Sequence, residues 1–166
     1  KADTARKALN RLNLCLKHAA ALGLDVDLQA VEKARALLGK QRHKAINVPA
    51  MDWKDVPAFY QTLCQKTTMT QLALRLLILT GVRTRPLCHI HKDQVEGDLW
   101  TIPAENMKGR RDATEEFRVP LSTEALEILK QARLLSRNDF FFSATGRGPL
   151  AEKSMAHYMR RNGFEA

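Results

Sequence analysis

The sequence predicts a mainly α-helical chain with one small antiparallel β-hairpin or sheet, an α+β fold. Three observations predict it. Apolar residues recur at helical spacing over most of the 166 residues. Ser, Thr or Asp stands where most of these stretches begin, and Gly stands where several of them end. Two short runs rich in β-branched and aromatic residues, Leu99 to Ile102 and Phe117 to Leu121, flank a basic turn.

Asp3 to Leu22 reads as the first helix, with Thr4 as N-cap and Gly23 as its stop. Leu9, Leu12, Leu16 and Ala19 make its apolar face. Arg6, Asn10, Asn13 and Lys17 fall on another face, at i, i+4, i+7 and i+11. Such a stripe suits phosphates and base edges, and equally a solvated outer surface. A second helix spans Leu28 to Leu38, from Asp27 to Gly39. Residues 40–50 are polar and basic, with Lys40, Arg42 and Lys44 close together, and read as a linker.

From Trp53 to Gln65 another helix is expected, with Asp52 near its start. Thr68 to Leu79 is strongly apolar, with Leu72, Leu76 and Leu79 facing the core. Thr123 to Leu135 is an amphipathic helix capped by Ser122. Asp139 to Ser143 is a buried strand or simply extended. Thr145 to Pro149 is a loop, and Leu150 to Asn162 a last helix ending at Gly163. No internal repeat or low-complexity tract interrupts this order.

Charge narrows the partner. Net charge is +9 and the sequence pI is near 9.8, which favours a polyanion, nucleic acid first. Residues 1–44 hold ten Lys/Arg against four Asp/Glu, so +6 of the +9 lies in the first quarter. Aromatics are 6% of residues and are not clustered in basic strands, unlike single-strand readers that stack bases. Three scattered cysteines give no disulfide framework and fit a reducing cytoplasm. The longest apolar stretch, Leu76 to Leu79, is far too short to span a bilayer. No apolar signal region follows Lys1. The chain opens without Met and closes just after a helix, as an excised fragment would.

The most informative segment is Thr80-Gly81-Val82-Arg83. An apolar helix that ends on Gly can use it for a left-handed turn, and Arg83 then leaves a rigid support at a fixed angle. A planar, permanently charged guanidinium so placed can grip two phosphate oxygens. Downstream come Lys108-Gly109-Arg110-Arg111 in the hairpin turn and Val119-Pro120-Leu121-Ser122 before a helix. In this order the motifs resemble the tyrosine recombinases, the phage integrase family, and most closely the integrases of prophages and genomic islands.

That resemblance implies a partial tyrosine-recombinase catalytic fold in residues 51–166. Residues 1–39 would be the last helices of a helical core DNA-binding domain, joined by the basic linker of residues 40–50. It implies site-specific DNA recombination by strand cleavage and rejoining through a phosphotyrosine, with no metal or other cofactor. Arg83 matches the first catalytic arginine, which contacts the scissile phosphate. Lys108 matches the hairpin lysine, the general acid for the leaving 5′ oxygen. A lysine donates a proton more readily where desolvation and cationic neighbours such as Arg110 and Arg111 lower its pKa. Arg6, Asn10, Asn13, Lys17, Lys40, Arg42, Lys44, Arg110 and Arg111 are the candidate DNA contacts. Double-stranded attachment-site DNA is the expected partner. A tetramer on DNA and a DNA-bending accessory protein are also expected, with no membrane, in the bacterial cytoplasm at the nucleoid.

Two features depart from the family pattern. Pro86 stands where the family places Glu or Asp, and proline disfavours helical angles at Arg85, so the helix after Arg83 is expected to start late. The family's His-x-x-Arg box and nucleophilic tyrosine find no match: Tyr60 and Tyr158 read as packing residues, and His157 with Arg160 as a chance spacing. A fragment without the nucleophile is expected to bind DNA weakly and cleave nothing. The alternative is a non-enzymatic DNA-binding protein or a decayed integrase remnant. Cys88-His89-Ile90-His91 lacks the distant ligands of a zinc site, and Gly146-Arg147-Gly148 lacks the Lys-Ser/Thr of a nucleotide loop.

Overall fold

The computed structural model describes residues 2–39, 50–109 and 114–164. It divides into two compact units, Lys1–Val48 and Pro49–Ala166. Among the described residues there are seven α-helices and one three-stranded antiparallel sheet. None of these helices is long and apolar enough to cross a membrane.

The first unit is a pair of helices, α1 (Ala2–Ala21) and α2 (Ala30–Leu38). Thr4 lies inside α1 and does not cap it. At the other end Gly23, at φ 79°, donates to the Ala20 carbonyl, and Leu24 donates to that of Ala19. This double bond pattern needs a left-handed residue, which is why Gly stops the helix there. Asp27 closes the turn before α2 by accepting from the Gln29 N–H at 2.8 Å, so α2 starts at Ala30 and not at Leu28. Among the described residues of this unit Val31 is the buried hydrophobic, while Leu12, Leu14, Leu37 and Leu38 are exposed. Two helices share a single seam, so the apolar face expected to include Leu12 is only partly covered.

The second unit is built around α4 (Met69–Thr80), which packs against α3 (Val56–Cys64), α6 (Thr123–Leu135) and α7 (Lys153–Arg161). Thr68 caps α4 by accepting from the Gln71 N–H, and Ser122 caps α6 by accepting from the Ala125 N–H at 3.2 Å. Leu72, Ala73, Leu74 and Leu76 are buried against Ala125, Ile128, Leu129 and Ala132 of α6 and their neighbours. Each fully buried leucine here contributes roughly 1.5–3 kcal/mol. Leu79, expected in the core, is 38% exposed; it sits two residues before Gly81, where α4 ends. α3 starts at Val56 and not at Trp53, because Asp52 first forms a turn with Lys54 and Asp55. α7 starts at Lys153, three residues later than the apolar pattern suggests.

The sheet is a meander of β1 (Val95–Glu96), β2 (Leu99–Ile102) and β3 (Phe117–Pro120). Val95 pairs with Trp100, Trp100 with Val119, and Ile102 with Phe117. Gly97, at φ 58°, turns β1 into β2. β1 is too short to leave a periodic signal and was not expected from the sequence. Phe140 makes a single bridge to His91 and Phe142 is buried, so the segment from Asp139 to Ser143 is extended without joining the sheet.

The face where α3, α4 and α6 meet is tied by polar groups. The Tyr60 hydroxyl donates to Glu124 at 2.6 Å, and Arg75 lies 3.7 Å from the same carboxylate. Burial pushes the Tyr60 phenol above its ordinary value, and the bond to Glu124 adds to that while Arg75 opposes it. Tyr60 is thus held by Glu124 and Arg75, whereas Tyr158 packs against the core.

Candidate phosphate-binding site

Arg83 owes its position to the end of α4. Gly81 adopts φ 62° and ψ 12°, and its N–H donates to the Leu77 carbonyl at 2.9 Å. The chain turns there and Arg83, at φ −72° and ψ 155°, becomes the N-cap residue of α5 (Thr84–Cys88). Both helices that flank Arg83 are anchored in the core, since Leu76, Leu87 and Cys88 are fully buried.

Pro86 does not delay that helix, contrary to expectation: α5 begins at Thr84 with Pro86 in its first turn. The first N–H needed for an i to i−4 bond is that of Leu87, which donates to the Arg83 carbonyl at 3.3 Å. A proline one residue earlier removes a donor that would have had no partner in the helix. Pro86 is itself buried.

Lys108 comes from the other side. Pro103 ends β2 and opens a single 3-10 turn over Ala104–Asn106, closed by Met107 donating to the Ala104 carbonyl at 3.0 Å. Met107 is extended again at φ −87° and ψ 153°, and Lys108 follows. Gly109 is needed here, because a Cβ at that position would run into the Thr114 side chain.

These two routes end at one cavity of about 370 Å³. Arg83 and Lys108 line it together with Gly81, Val82, Pro86 and Asn106, and with the apolar Ile102, Met107 and Phe117. Among the described residues its lining holds two cations and no carboxylate. Among the described residues neither Arg83 nor Lys108 is in a side-chain hydrogen bond or an ion pair. Two other basic groups of this unit are paired: Lys92 lies 2.6 Å from Asp139 and holds that carboxyl below its ordinary range, and Arg118 lies 2.8 Å from Glu116. Among the described residues the site is therefore a cationic pocket, of a kind that can accept an anion.

The other candidates are spread out. In the first unit Arg6 is paired with Asp3 at 2.6 Å, and Asn10 accepts from Arg35 of α2 at 2.6 Å. Lys17 is exposed and Asn13 is half-buried. Lys40, Arg42, Lys44, Arg110 and Arg111 lie outside the described residues. His157 and Tyr158 line a different cleft, between α3, α4 and α7, with Lys66 and Arg161. Neither Tyr60 nor Tyr158 reaches the Arg83 cavity. Among the described residues no three His, Cys, Asp or Glu side chains converge as metal ligands. Cys88 is fully buried, and burial pushes its thiol up to about 11, so it is a core residue. Asn106, Met107 and Phe117 are cavity residues that periodicity alone did not single out. Their signal was proximity to the hairpin turn.

Comparison with known proteins follows the same outline. The pattern of the phage integrase family matches residues 49–166. Prophage integrase IntZ of Escherichia coli (strain K12) is 33% identical over 131 residues, covering 77% of this chain and 31% of that protein. The integrase of Enterobacteria phage P4 is 31% identical over 148 residues, covering 82% of this chain and 33% of that protein. The chain thus spans about a third of the length of these curated relatives. In fold it resembles lambda integrase, as seen in the crystal structure of the tetramer bound to a Holliday junction. The TM-score is 0.70 at 19% identity, over 97% of this chain and 46% of the other.

Proposed function

The chain belongs to the phage integrase family, and we propose that it carries the Arg83–Lys108 part of the phosphate centre of a tyrosine-type site-specific DNA recombinase. The observation that carries this reading is the convergence of Arg83 and Lys108 on one cavity with no carboxylate among its described lining residues. Arg83 holds two non-bridging oxygens of the scissile phosphate and stabilises the charge that grows on them as a nucleophile adds. Lys108 gives its proton to the 5′ oxygen as the phosphorus–oxygen bond breaks. The attacking group is a tyrosine phenol, which loses its proton and keeps the 3′ phosphate as a covalent ester. Attack by a new 5′ hydroxyl reverses these steps and rejoins the strand with no net hydrolysis. Neither tyrosine of this sequence stands at the cavity, so another tyrosine must supply the nucleophile.

Residues 1–39 act in this reading as helices of a DNA-clamping domain, and residues 40–50 as its basic linker to the catalytic unit. Arg6, Asn10, Asn13, Lys17, Lys40, Arg42, Lys44, Arg110 and Arg111 contribute contacts to the duplex. The working assembly is a tetramer on paired attachment sites, with a DNA-bending accessory protein, at the bacterial nucleoid in the cytoplasm.

The test uses residues 1–166 and fluorescein-labelled duplex DNA, duplex RNA and single-stranded DNA in anisotropy titrations. Duplex DNA is expected to bind best, and the Arg83→Ala/Lys108→Ala double variant to bind it more weakly. A denaturing gel of the same mixtures is expected to show no covalent adduct. Equal binding of all three nucleic acids, unchanged in the double variant, would count against the reading. Binding of duplex DNA alone, also unchanged in the double variant, would favour the second reading, a DNA-binding remnant without catalytic use of the cavity.

A further inference from the structure

We propose that Met107 and Phe117 form a seat for the deoxyribose attached to the phosphate held between Arg83 and Lys108. The proposal rests on the phosphate-binding reading of that cavity. It starts from the course of the core-facing side of β2 and β3. Trp100 and Val119 face each other across the strands and are both buried. One pair further along, Ile102 is 1% exposed but its partner Phe117 is 50% exposed. The apolar face of the sheet therefore runs past the end of the core and opens into the cavity, where Phe117 and Met107 stand beside Lys108. Arg118, on the opposite face, is occupied by Glu116 and does not compete for this space.

A bare phosphate has no use for apolar walls, since its oxygens need donors on every side. A furanose ring presents C–H faces that gain from contact with an aromatic ring and a thioether. In a duplex the base is stacked inward, so the sugar is the apolar group next to a backbone phosphate that a protein can reach without unstacking. The cavity, at about 370 Å³, has room beyond the phosphate for that ring. The arrangement thus selects a nucleotide unit over a free anion.

The experiment titrates residues 1–166 with the thymidine dinucleotide TpT and reads two signals. Phosphorus NMR reports the phosphate, and saturation transferred from protein to ligand reports which ligand protons touch it. The wild-type protein is expected to shift the phosphorus line and to saturate the sugar protons more than the thymine methyl. Phe117→Ala is expected to lose the sugar preference and weaken binding by about three- to tenfold, while the phosphorus shift at saturation persists. Phe117→Leu, which keeps apolar bulk, is expected to recover part of the sugar signal. Thermal melts of each variant, expected to match wild type because Phe117 is half-exposed, separate a contact role from a folding role. Sugar saturation unchanged in Phe117→Ala, or stronger saturation of the base than of the sugar in wild type, would overturn the seat alone. A phosphorus line that ignores the protein, or that shifts equally with Arg83→Ala, would overturn the phosphate site beneath it.

Discussion

Arg83 and Lys108 line the same cavity although neither belongs to the body of a regular element: one is the N-cap residue of a helix, the other follows a 3-10 turn beyond a strand. Each is placed by a backbone device next to it, Gly81 for Arg83 and Pro103 with Gly109 for Lys108. Arg83 leaves the end of a helix whose Leu76 is fully buried, and Lys108 follows a turn closed by Met107 donating to the Ala104 carbonyl.

The chemistry at Arg83 depends on shape as well as charge. Arg83→Lys keeps one positive charge but loses the two-pronged fork. In DNA binding by residues 1–166, Arg83→Ala is expected to reduce the slope of log affinity against log salt by about 1. Arg83→Lys is expected to keep that slope while still lowering affinity. Anisotropy titrations over a salt series check both, and equal slopes for Arg83→Ala and wild type would remove Arg83 from the interface.

Gly81 is the hinge of that placement. Nothing stands within 4 Å of a Cβ built there, so the cost of Gly81→Ala is backbone strain at φ 62° and not a clash. The expected loss is about 1 kcal/mol of stability. Urea unfolding followed by circular dichroism measures it.

Leu72 and Leu79 look alike in the sequence, a heptad apart on the same apolar helix. Leu72 is fully buried and Leu79 is 38% exposed. Leu72→Ala is expected to cost about 2–5 kcal/mol, and Leu79→Ala less than about 0.5 kcal/mol. The same urea unfolding curves compare the two.

Acid should weaken α1. Hydrogen bonds from Lys7 and Arg6 hold the Asp3 carboxyl at about 2, below its ordinary 3.8. A carboxyl whose folded value is depressed stabilises the fold above its unfolded value and stops doing so as pH falls through the folded one. The contribution of Asp3 is therefore complete above 3.8 and disappears toward about 2. Helical ellipticity across that window is expected to fall in the wild type and to fall less in Asp3→Asn. Asp27, held low by Lys33, keeps some acid sensitivity in that variant.

The three cysteines should separate by reactivity. Cys15 and Cys64 are exposed, and Cys88 is buried with its thiol pushed up to about 11. Iodoacetamide at mildly alkaline pH is expected to add two groups to the folded protein, and a third only in denaturant. Intact-mass spectrometry counts them.

Much of this fold could be read from neighbouring residues. Ser122, Thr68, Gly81 and Gly163 marked helix ends because capping and left-handed turns act within four or five residues of chain. The strands at Leu99 and Phe117 followed from local residue type, and the basic balance followed from counting. Arg83 and Lys108 could be named from the order of motifs. Their meeting in one cavity could not, since it depends on how α4 and the sheet pack, and no local pattern encodes that packing. The same holds for Leu79, left exposed although its periodicity matches Leu72, and for Phe117, where a core-facing strand position ends in an open cavity. Pro86 shows the reverse dependence: its residue preference argued against a helix, but its place in the first turn of α5 left no hydrogen bond to lose. Local chemistry determined where the elements start and stop; burial and convergence were decided by contacts between residues far apart in the chain.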